Sequence, residues 1–448
     1  MACVLFAAIA LTAAVDLTLF AQSAVCIPIL VLILLARSAF LRTHRTELQN
    51  LLRLFASLLG IYVTLRYLFW RSFETLNYHD LASFVGALAL YGAELYGIAL
   101  YFLGLFVNAN PMRRALPALP AEHDSLPTID VLITSYDEDP DLIETTLLAT
   151  RSIAYPQDKL RIYLLDDGGT LAFRFSADPL KRALAHQRYN TLIRLCQTAR
   201  ATYLTRIVNE HAKSGNLNSA LRQSDGEFVL VLDADHIPTV DILEKTVPLF
   251  LRDQKLFLVQ TPHYFVTPDP VERNLQTFHQ MPSENEMFYS VIQPGLDFWD
   301  SAIFCGSAAL LRRSHLERIG GFASDTVTED AETSLKLHSL GLRSAYVPTP
   351  VTAGLQPGTF VDFVRQRVRW AQGMTQIFLL HNPLFKSGLR PWQRLSYLNA
   401  LLFWFFGFAR LVFILAPSAY LIFGWKIYDA NLPQVLAFTL PHIIASWI

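Results

Sequence analysis

Two acidic pairs stand where the chain could bind a metal ion and activate a hydroxyl group. Asp233 and Asp235 form an Asp-x-Asp pair at the end of an apolar run, and Glu329 and Asp330 follow each other further along the chain. Carboxylate oxygens are the ligands that Mg²⁺ prefers, and such an ion typically bridges carboxylates and substrate phosphates. We therefore predict that Asp233 and Asp235 hold Mg²⁺ and a departing diphosphate, and we count Asp233 as catalytic. The alternative is an exposed strand end capped by two aspartates.

The segment Thr328-Glu329-Asp330 is predicted to open a helix that ends at Gly341. Thr326 and Glu329 fit a capping box, and the helix dipole favours acidic residues in a first turn, so the segment also has an ordinary structural explanation. The functional interpretation is that Asp330 is a general base. It would take the proton of an acceptor hydroxyl that attacks an anomeric carbon, while Glu329 contacts the substrate.

Gln366, Arg369 and Trp370 are spaced so that they share one face of a helix predicted over residues 360–380. Nearly opposite to them lie apolar residues, namely Val364, Val368, Ala371 and Phe378. We expect this two-sided helix to lie along a membrane interface. Arg369 would then meet a diphosphate and Trp370 a sugar ring, with Gln366 beside them. A tryptophan that serves only as a membrane anchor is the alternative.

Two further motifs offer groups for a nucleotide. Asp166 and Asp167 follow an apolar run and precede a glycine turn, where a carboxylate can accept a hydrogen bond from a base or a ribose hydroxyl. Turn chemistry alone would also explain them. Lys213 lies close to the N-terminus of a predicted helix, a position that favours a phosphate. A solvated loop lysine is an equally good explanation.

Alternating strands and helices must position these residues. Helical patterns at 140–153 and 178–200 alternate with apolar runs that predict strands, at 131–133, 162–165, 228–232 and 256–259. This order predicts an α/β domain with a mostly parallel, doubly wound sheet. Ligands of such sheets bind at the carboxyl ends of the strands, which is where the acidic residues fall. Neither GxGxxG nor GxxxxGK[ST] is present, so no dinucleotide fingerprint or P-loop is predicted.

Apolar segments flank this domain. The chain is 52% hydrophobic with a mean hydropathy of +0.30, which is unusually apolar for a soluble protein. Residues 2–36 could form one long span or two short ones, and a cleaved signal peptide is a competing interpretation. Further spans are predicted at 51–70, 81–107 and 395–424. A last apolar run begins at Val435 and stops at Ile448, so we expect a C-terminally truncated chain.

The predicted domains are an N-terminal region of three or four spans at 1–110, an α/β domain at 111–390 and an incomplete membrane region at 391–448. An arginine-bearing loop predicted at 37–53 and the basic segment 111–114 mark cytoplasmic ends, which would place the loop 71–80 outside. The 37 basic and 38 acidic residues nearly balance, so no nucleic-acid partner is predicted. The four cysteines show no CxxC pairing, which indicates neither a zinc site nor a disulfide framework.

With these residues in view, the chain resembles the processive family-2 glycosyltransferases, and among them most closely the family of bacterial cellulose synthase catalytic subunits. The resemblance runs from about residue 50 to the end and rests on an ordered series of motifs: 134–136, 166–168, 211–216, 233–235, 260–263, 304–307, 328–330 and 366–370. It implies a GT-A-like domain between transmembrane helices. The Phe-Cys-Gly-Ser and Gln-Arg-x-Arg-Trp contexts favour cellulose over hyaluronan or chitin.

The activity that the resemblance implies is an inverting transfer of glucose from UDP-glucose to a growing β-1,4-glucan, which is moved across the membrane. Tyr136, Asp166 and Asp167 would hold the uridine end, and Asp167 is included among the catalytic residues. Lys213 and Arg369 would meet the phosphate charge.

The resemblance also implies how the acceptor is held and where the protein works. Asp330 would be the base for the 4-hydroxyl, and Trp370 and the Cys305 loop would line the acceptor entrance. The expected location is the bacterial inner membrane, in contact with lipid, with the catalytic domain in the cytoplasm and a membrane-anchored periplasmic subunit as partner. Family members continue with a Phe-x-Val-Thr gating loop and a PilZ domain that binds cyclic-di-GMP, which this sequence does not contain.

Three other functions are compatible with parts of this sequence. A related synthase of chitin or hyaluronan would use the same motifs with another sugar. A non-catalytic membrane scaffold of the same fold would have no need for several acidic sites in this order. An ion or solute transporter fits less well, because intramembrane charges show no relay pattern and a large globular block interrupts the spans.

Overall fold

The computed structural model describes residues 9–76 and 80–447. These residues form two compact units. The first comprises Met1–Asn110 with Leu402–Ile448, and the second comprises Pro111–Leu401. The division falls close to the predicted boundaries at 110 and 390.

Helices occur throughout the described part of the chain. After a short helical segment at 9–13, the α-helices are α1 (Leu19–Arg42), α2 (Thr46–Glu74), α3 (Leu81–Val107), α4 (Pro140–Arg151), α5 (Leu171–Arg174), α6 (Pro179–Ala199), α7 (Ala212–Leu221), α8 (Ile242–Arg252), α9 (Pro270–Leu275), α10 (Glu284–Met287), α11 (Gln293–Phe298), α12 (Arg313–Glu317), α13 (Glu329–Ser339), α14 (Phe360–Leu380), α15 (Pro391–Leu402), α16 (Phe406–Phe423), α17 (Leu432–Gln434) and α18 (Leu440–Trp447). Turns of 3₁₀ helix lie at His123–Ser125 and Phe403–Phe405, and π-helical turns lie at Phe288–Ile292 and Val435–Thr439.

Four helical stretches are long and apolar enough to cross a membrane: Leu19–Arg42, Thr46–Glu74, Leu81–Val107 and Pro391–Phe423. The last three correspond to the spans predicted at 51–70, 81–107 and 395–424. The stretch 2–36 contributes one candidate span, which begins only at Leu19 and continues to Arg42. Residues 1–8 and 77–79, which belong to the predicted N-terminal stretch and to the loop 71–80, lie outside the described residues.

The segment 37–53 was expected to be a basic loop, and this is wrong. Helix α1 continues to Arg42 and α2 begins at Thr46, so only three residues separate them.

A buried ion pair joins two helices of the first unit. Arg71 of α2 is buried, and its Nε lies 2.7 Å from Oε2 of Glu94 in α3. A buried charge of this kind needs a close partner, so the pair ties the two helices together.

The second unit is built on a seven-stranded sheet. The strands of the chain are β1 (Ile129–Ser135), β2 (Leu160–Asp166), β3 (Thr202–Leu204), β4 (Phe228–Asp233), β5 (Ile237–Pro238), β6 (Leu256–Gln260), β7 (Tyr264–Phe265), β8 (Ala309–Arg312), β9 (Arg343–Tyr346) and β10 (Thr352–Gly354). The large sheet has the order β3-β2-β1-β4-β8-β6-β9, and β5, β10 and β7 form a small second sheet. Only β8 runs antiparallel to its neighbours in the large sheet. The predicted mostly parallel α/β fold is therefore confirmed.

Both faces of the sheet are buried. Val131, Ile133 and Leu230 belong to the core on one side, and Leu132 and Val231 belong to the core on the other. Strands that are covered on both faces read as continuous apolar runs, which is why these segments stood out in the sequence. Helices α4 and α6 pack against this sheet close to the predicted ranges 140–153 and 178–200.

The register of the central strands brings polar residues to one edge. Ser135 at the end of β1 lies opposite Asp166 of β2, and Thr134 lies opposite Asp233 of β4. Strand β8 begins at Ala309, after the motif at 304–307. The sheet therefore brings motifs that are far apart in sequence close together in space.

Candidate active site

Asp233 and Asp235 stand at the end of β4 together with His236. These three side chains each offer an atom within 4.8 Å of the others, so they form a group that could hold a metal ion. The backbone N–H of Asp233 donates to Ser307 Oγ at 2.9 Å, which fixes the strand end. Two carboxylates and one imidazole suit a divalent cation.

Lys213 occupies the first turn of α7 and contacts Asp233. Burial alone would raise the pKa of Asp233, but the positive charge of Lys213 beside it lowers this pKa to about 2. Burial would lower the pKa of Lys213, but the nearby carboxylates of Asp233 and Glu329 raise it. The lysine therefore stays charged and close to the carboxylates, as a phosphate-binding lysine would need to be.

Helix α13 begins at Glu329, with Thr328 as its N-cap residue and no side-chain hydrogen bond at the cap. The predicted capping box between Thr326 and Glu329 is wrong. The backbone N–H and hydroxyl of Thr326 instead donate to Oε2 of Glu332, at 2.9 and 3.0 Å. Because the helix starts later than the pattern suggested, the acidic residue that restrains Thr326 is one turn further on.

Glu329 and Asp330 lie side by side in the first turn of α13. Burial and the neighbouring Asp330 raise the pKa of Glu329 to about 7. Burial also raises the pKa of Asp330, whose Oδ1 accepts a hydrogen bond from the backbone N–H of Ala331 at 2.8 Å. Two carboxyl groups that cannot both ionise easily are suited to taking up a proton close to neutral pH.

Gly306 lies between the lysine and the proposed base, and sequence reasoning gave it no role. It adopts φ +81°, and a Cβ atom at this position would lie 3.2 Å from Asp330 Oδ2 and 3.4 Å from Lys213 Nζ. The positive φ and the close approach both require glycine. Gly306 belongs to the Phe-Cys-Gly-Ser motif, from which the sequence alone predicted a function only for Cys305.

Cys305 precedes this glycine and belongs to the same cluster. Its backbone N–H donates to Gln260 Oε1 at 2.9 Å, and Gln293 Nε2 lies 3.1 Å from its sulfur. Burial and the charge of Asp330 raise the pKa of the Cys305 thiol well above its ordinary value. The thiol therefore stays protonated beside the proposed base.

Helix α14 supplies the third part of the site. Burial raises the pKa values of Glu329 and Asp330, and the positive charge of Arg369 partly offsets this rise, so this guanidinium acts on the acidic pair. Gln376 Oε1 accepts from the backbone N–H of Val327 at 2.9 Å, which joins α14 to the segment that leads into α13.

Trp370 and Gln366 are connected through Arg367, a residue that sequence reasoning missed. The Arg367 guanidinium lies 4.6 Å from the Trp370 ring and donates to Gln366 Oε1 at 2.6 Å. On another side of the helix, Val364 and Val368 are exposed within the described structure. This agrees with a two-sided helix, and its position along a membrane interface stays a prediction.

The predicted uridine end is arranged differently. Asp166 is fully buried, and its carboxylate accepts from Arg188 Nε at 2.8 Å and from the Tyr203 hydroxyl at 2.7 Å. Asp167 accepts hydrogen bonds from Arg206 Nε and Nη2, at 2.6 Å each. The partners Arg188, Tyr203 and Arg206 were not predicted, because single basic and aromatic residues in a helix, a strand or a loop carry no motif.

Tyr136, the third residue predicted at the uridine end, follows β1. Nearly half of its surface is exposed (47%), and its backbone N–H donates to Glu138 Oε2 at 2.7 Å. Its ring is therefore accessible at the same sheet edge as Asp166, where a planar base could stack on it.

Two overlapping parts of the chain match known sequence families. Residues 130–320 match the family described as glycosyl transferase family 2, and residues 228–447 match glycosyl transferase family group 2. The chain is 42% identical over 388 residues to a UDP-forming cellulose synthase catalytic subunit from Pseudomonas fluorescens (strain SBW25), covering 87% of this chain and 50% of that protein. It is 40% identical over 394 residues to the cellulose synthase 1 catalytic subunit from Komagataeibacter xylinus, covering 88% and 50%. The chain thus spans about half the length of these curated relatives.

A solved structure with a similar fold is the mannosyltransferase from Pyrobaculum calidifontis in complex with GDP-Man and Mn²⁺. Its TM-score is 0.54 at 22% sequence identity, and the match covers 82% of this chain and 98% of that one. At this identity the likeness shows the fold alone. It confirms the predicted GT-A-like architecture.

Proposed function

We start from the fact that this chain belongs to glycosyltransferase family 2, and we propose that it polymerises glucose from UDP-glucose into a β-1,4-glucan and moves the polymer across a membrane. The observation that carries the proposal is the cluster around Gly306. There Lys213 contacts Asp233 of the Asp-x-Asp pair, and Lys213 and Asp330 both lie close to the glycine. A charged group for a diphosphate and a base for a hydroxyl are the two parts that glycosyl transfer needs.

The residues of the Asp-x-Asp pair would hold the cation. Asp233 and Asp235 offer the hard oxygen ligands of Mg²⁺, and His236 stands beside them. When bound, the ion would neutralise charge on the departing diphosphate. Lys213 and Arg369 would add two positive charges on the same leaving group.

Asp330 is proposed to take the proton from the 4-hydroxyl of the glucan end. The freed oxygen attacks the anomeric carbon of the donor glucose, a new glycosidic bond forms, and the bond from that carbon to UDP breaks. A single displacement converts the α-linked donor into a β-linked product. The raised pKa of Asp330 supports this role, because a stronger base is a better proton acceptor.

The remaining predicted site residues would bind substrate. Tyr136 would stack on the uracil ring, with Asp166 and Asp167 beside it. Since both aspartates already have protein partners, we propose that they act mainly by orienting Arg188 and Arg206 around the nucleotide. Asp167 then affects catalysis through the position of the donor.

The acceptor would be held by Trp370 and Cys305, with Glu329 and Gln366 contacting the sugars. We propose that the protein lies in the bacterial inner membrane, in contact with lipid, with the 111–390 domain in the cytoplasm. A membrane-anchored periplasmic subunit would receive the glucan. The four apolar helical stretches support the membrane location.

The test uses purified protein in lipid vesicles, in two forms: this chain and a form extended to the length of the curated relatives. Both receive labelled UDP-glucose, Mg²⁺ and cyclic-di-GMP, and the insoluble product is digested with a β-1,4-specific glucanase. Labelled polymer that this enzyme degrades is the expected result. Incorporation from UDP-GlcNAc but not from UDP-glucose would establish a chitin- or hyaluronan-type synthase instead. Retained UDP-glucose binding with no polymer from any donor would favour a scaffold.

A further inference from the structure

The segment 325–328 leads directly into α13 and belongs to no helix or strand, so its position depends on individual contacts. One set of contacts goes to α13 itself. The backbone N–H and the hydroxyl of Thr326 donate to Oε2 of Glu332, which is fully buried. Lys336 Nζ lies 2.8 Å from Oδ2 of Asp325. The segment is therefore fastened to the helix that it precedes.

A second set of contacts comes from α14, at two positions one turn apart. Gln376 Oε1 accepts from the backbone N–H of Val327 at 2.9 Å. A Cβ atom on Gly373 would lie 2.6 Å from the backbone nitrogen of Thr328, so only a glycine lets α14 approach the segment this closely. The same four residues thus contact α13 on one side and α14 on the other.

These two contacts lie on the face of α14 that bears the predicted acceptor residues. Gln366, Arg369 and Trp370 are followed by Gly373 and Gln376 at intervals of three or four residues, which keeps all five on one side of a continuous helix. Trp370 and Gln376 are about 9 Å apart along the helix axis, at 1.5 Å per residue. Over so short a distance the helix is rigid, so a contact that fixes Gln376 also fixes Trp370.

We propose that Gln376 is a positioning residue, which fixes Asp330 relative to Trp370 through its hydrogen bond to Val327. This inference rests on the proposed function, because that function assigns the base to Asp330 and the acceptor sugar to Trp370. The hydrogen bond reaches the chain three residues before Asp330. A base must lie within hydrogen-bond distance of the acceptor hydroxyl, and a displacement of about 1 Å can lower the rate about 10²-fold.

The contact is better suited to positioning than to stability. Val327 is exposed (37%), so its N–H can pair with water when the glutamine oxygen is absent. A hydrogen bond that water can replace contributes little to the free energy of unfolding. Removing it should therefore change the geometry around Asp330 in a protein that remains folded.

The first test is Gln376→Met, which keeps the length of the side chain and removes the oxygen acceptor. In the vesicle assay kcat for polymer synthesis should fall about tenfold, while KM for UDP-glucose should not change, because Gln376 has no proposed part in donor binding. Gln376→Glu keeps an oxygen for Val327, so kcat should stay within about threefold of the parental value. Gln372→Met is the matched control, because Gln372 is exposed on the same helix, and it should synthesise polymer at the parental rate.

A double variant shows whether Gln376 acts through the base. Once Asp330→Asn has removed the base, adding Gln376→Met should lower the remaining synthesis by less than about twofold, because two residues that act through one group do not have additive effects. A further tenfold loss in this background would show that Gln376 acts independently of Asp330, and it would overturn the proposal.

Hydrogen exchange tests the contact without any synthesis. Peptides that span residues 325–331 should exchange about tenfold faster in Gln376→Met than in the parent, whereas Gln372→Met should leave their exchange unchanged. Unchanged exchange in Gln376→Met overturns the proposal whether or not polymer forms, and so does faster exchange with a parental kcat. Faster exchange in a protein whose parent makes no polymer supports the contact and counts against the proposed function instead.

Discussion

Two pairs of acidic residues lie in the second unit, one after a strand and one at the start of a helix, and their surroundings differ. Asp166 and Asp167, after β2, are paired with Arg188 and Arg206 at hydrogen-bond distance. Glu329 and Asp330 are consecutive residues at the start of α13, and the charges of Lys213 and Arg369 act on both. The first pair is neutralised by the protein itself, whereas the second pair is left with excess negative charge.

This difference distinguishes aspartates that position other groups from carboxyl groups that can accept a proton. A carboxylate whose two oxygens each accept a hydrogen bond from one arginine is fixed in position. It has little capacity left to accept a proton from a substrate. Carboxyl groups that are buried next to each other have raised pKa values, because ionising one opposes ionising the other. The second arrangement costs stability in the folded state and provides a group that can take up a proton.

The largest effect is expected from Asp330→Asn, which keeps the shape of the side chain and removes the base. Polymer synthesis should fall by at least about 10²-fold, since a positioned base typically contributes 10²–10⁴-fold. UDP-glucose binding should persist, and stability should not fall, because the change removes a like charge. Synthesis at the parental rate would show that the base is another residue.

Arg206→Ala tests the other side of the comparison. It leaves the buried Asp167 without its partner, and breaking a buried pair in this way costs about 3 kcal/mol or more in the free energy of unfolding. The measurement is the midpoint of thermal unfolding of the purified protein. Arg182→Ala, at an exposed position of the same unit, is the control and should cost less than about 0.5 kcal/mol. Equal effects of the two substitutions would contradict the distinction between paired and unpaired carboxylates.

Gly306→Ala tests whether the backbone between Lys213 and Asp330 must approach both groups closely. A positive φ costs an alanine about 1–2 kcal/mol, and its Cβ would crowd Asp330 Oδ2 at 3.2 Å. We expect synthesis to fall about tenfold, as 1.4 kcal/mol would predict if the strain is carried into the transition state. Gly341→Ala is the control, because Gly341 also has a positive φ (+76°) but no heavy atom lies within 4 Å of the position of its Cβ. Equal losses of synthesis would show that backbone strain alone is responsible.

The smallest predicted effect is a dependence on pH. With a pKa of about 7 at Glu329, the acidic pair gains a proton as the pH falls. Synthesis should therefore be slower at pH 6 than at pH 8, because protonation of the pair leaves fewer molecules with the free base. Glu329→Gln removes the repulsion and should move this acidic limb to lower pH. An unchanged profile in the Gln variant would contradict the coupling.

The same pair should affect stability in the opposite direction. The pKa of Glu329 is raised in the folded state, from 4.5 to about 7. Its contribution to stability is therefore fully present below pH 4.5 and is lost as the pH rises through about 7. Burial also raises the pKa of Asp167, although its partner Arg206 opposes this rise, so Asp167 contributes to stability in the same direction.

The sequence identified the fold and most of the acidic site for a physical reason. Strands buried on both faces consist of consecutive apolar residues, so they can be recognised in the sequence. Because parallel strands bring their carboxyl ends to one edge of the sheet, Asp166 and Asp233 could be predicted to lie close together. Glycine motifs and Asp-x-Asp pairs are local and can be read directly. The resemblance to a known family then connected Asp330 and Trp370 with the same edge.

The parts that sequence reasoning missed are contacts between distant residues. Arg188 and Arg206 reach Asp166 and Asp167 from a helix and a loop that show no motif. The capping box failed for a related reason, because Thr326 has a better partner in Glu332, which only the folded chain brings within 3.0 Å. Helix starts decided by tertiary contacts cannot be read from spacing alone.

Strands β6 and β8 enclose a long excursion of the chain whose two ends are fastened to each other. Gln260 pairs with Ala309 across the antiparallel ladder, and its side-chain Nε2 donates to Ser307 O at 2.8 Å. The chain between these ends, which includes Cys305 and Gly306, is therefore held as one closed loop. Lengthening a loop whose ends are already joined costs little free energy, so residues inserted at exposed positions such as Leu275 or Met281 should leave the strand ends in place. This excursion is thus a practical place to attach a reporter to the protein.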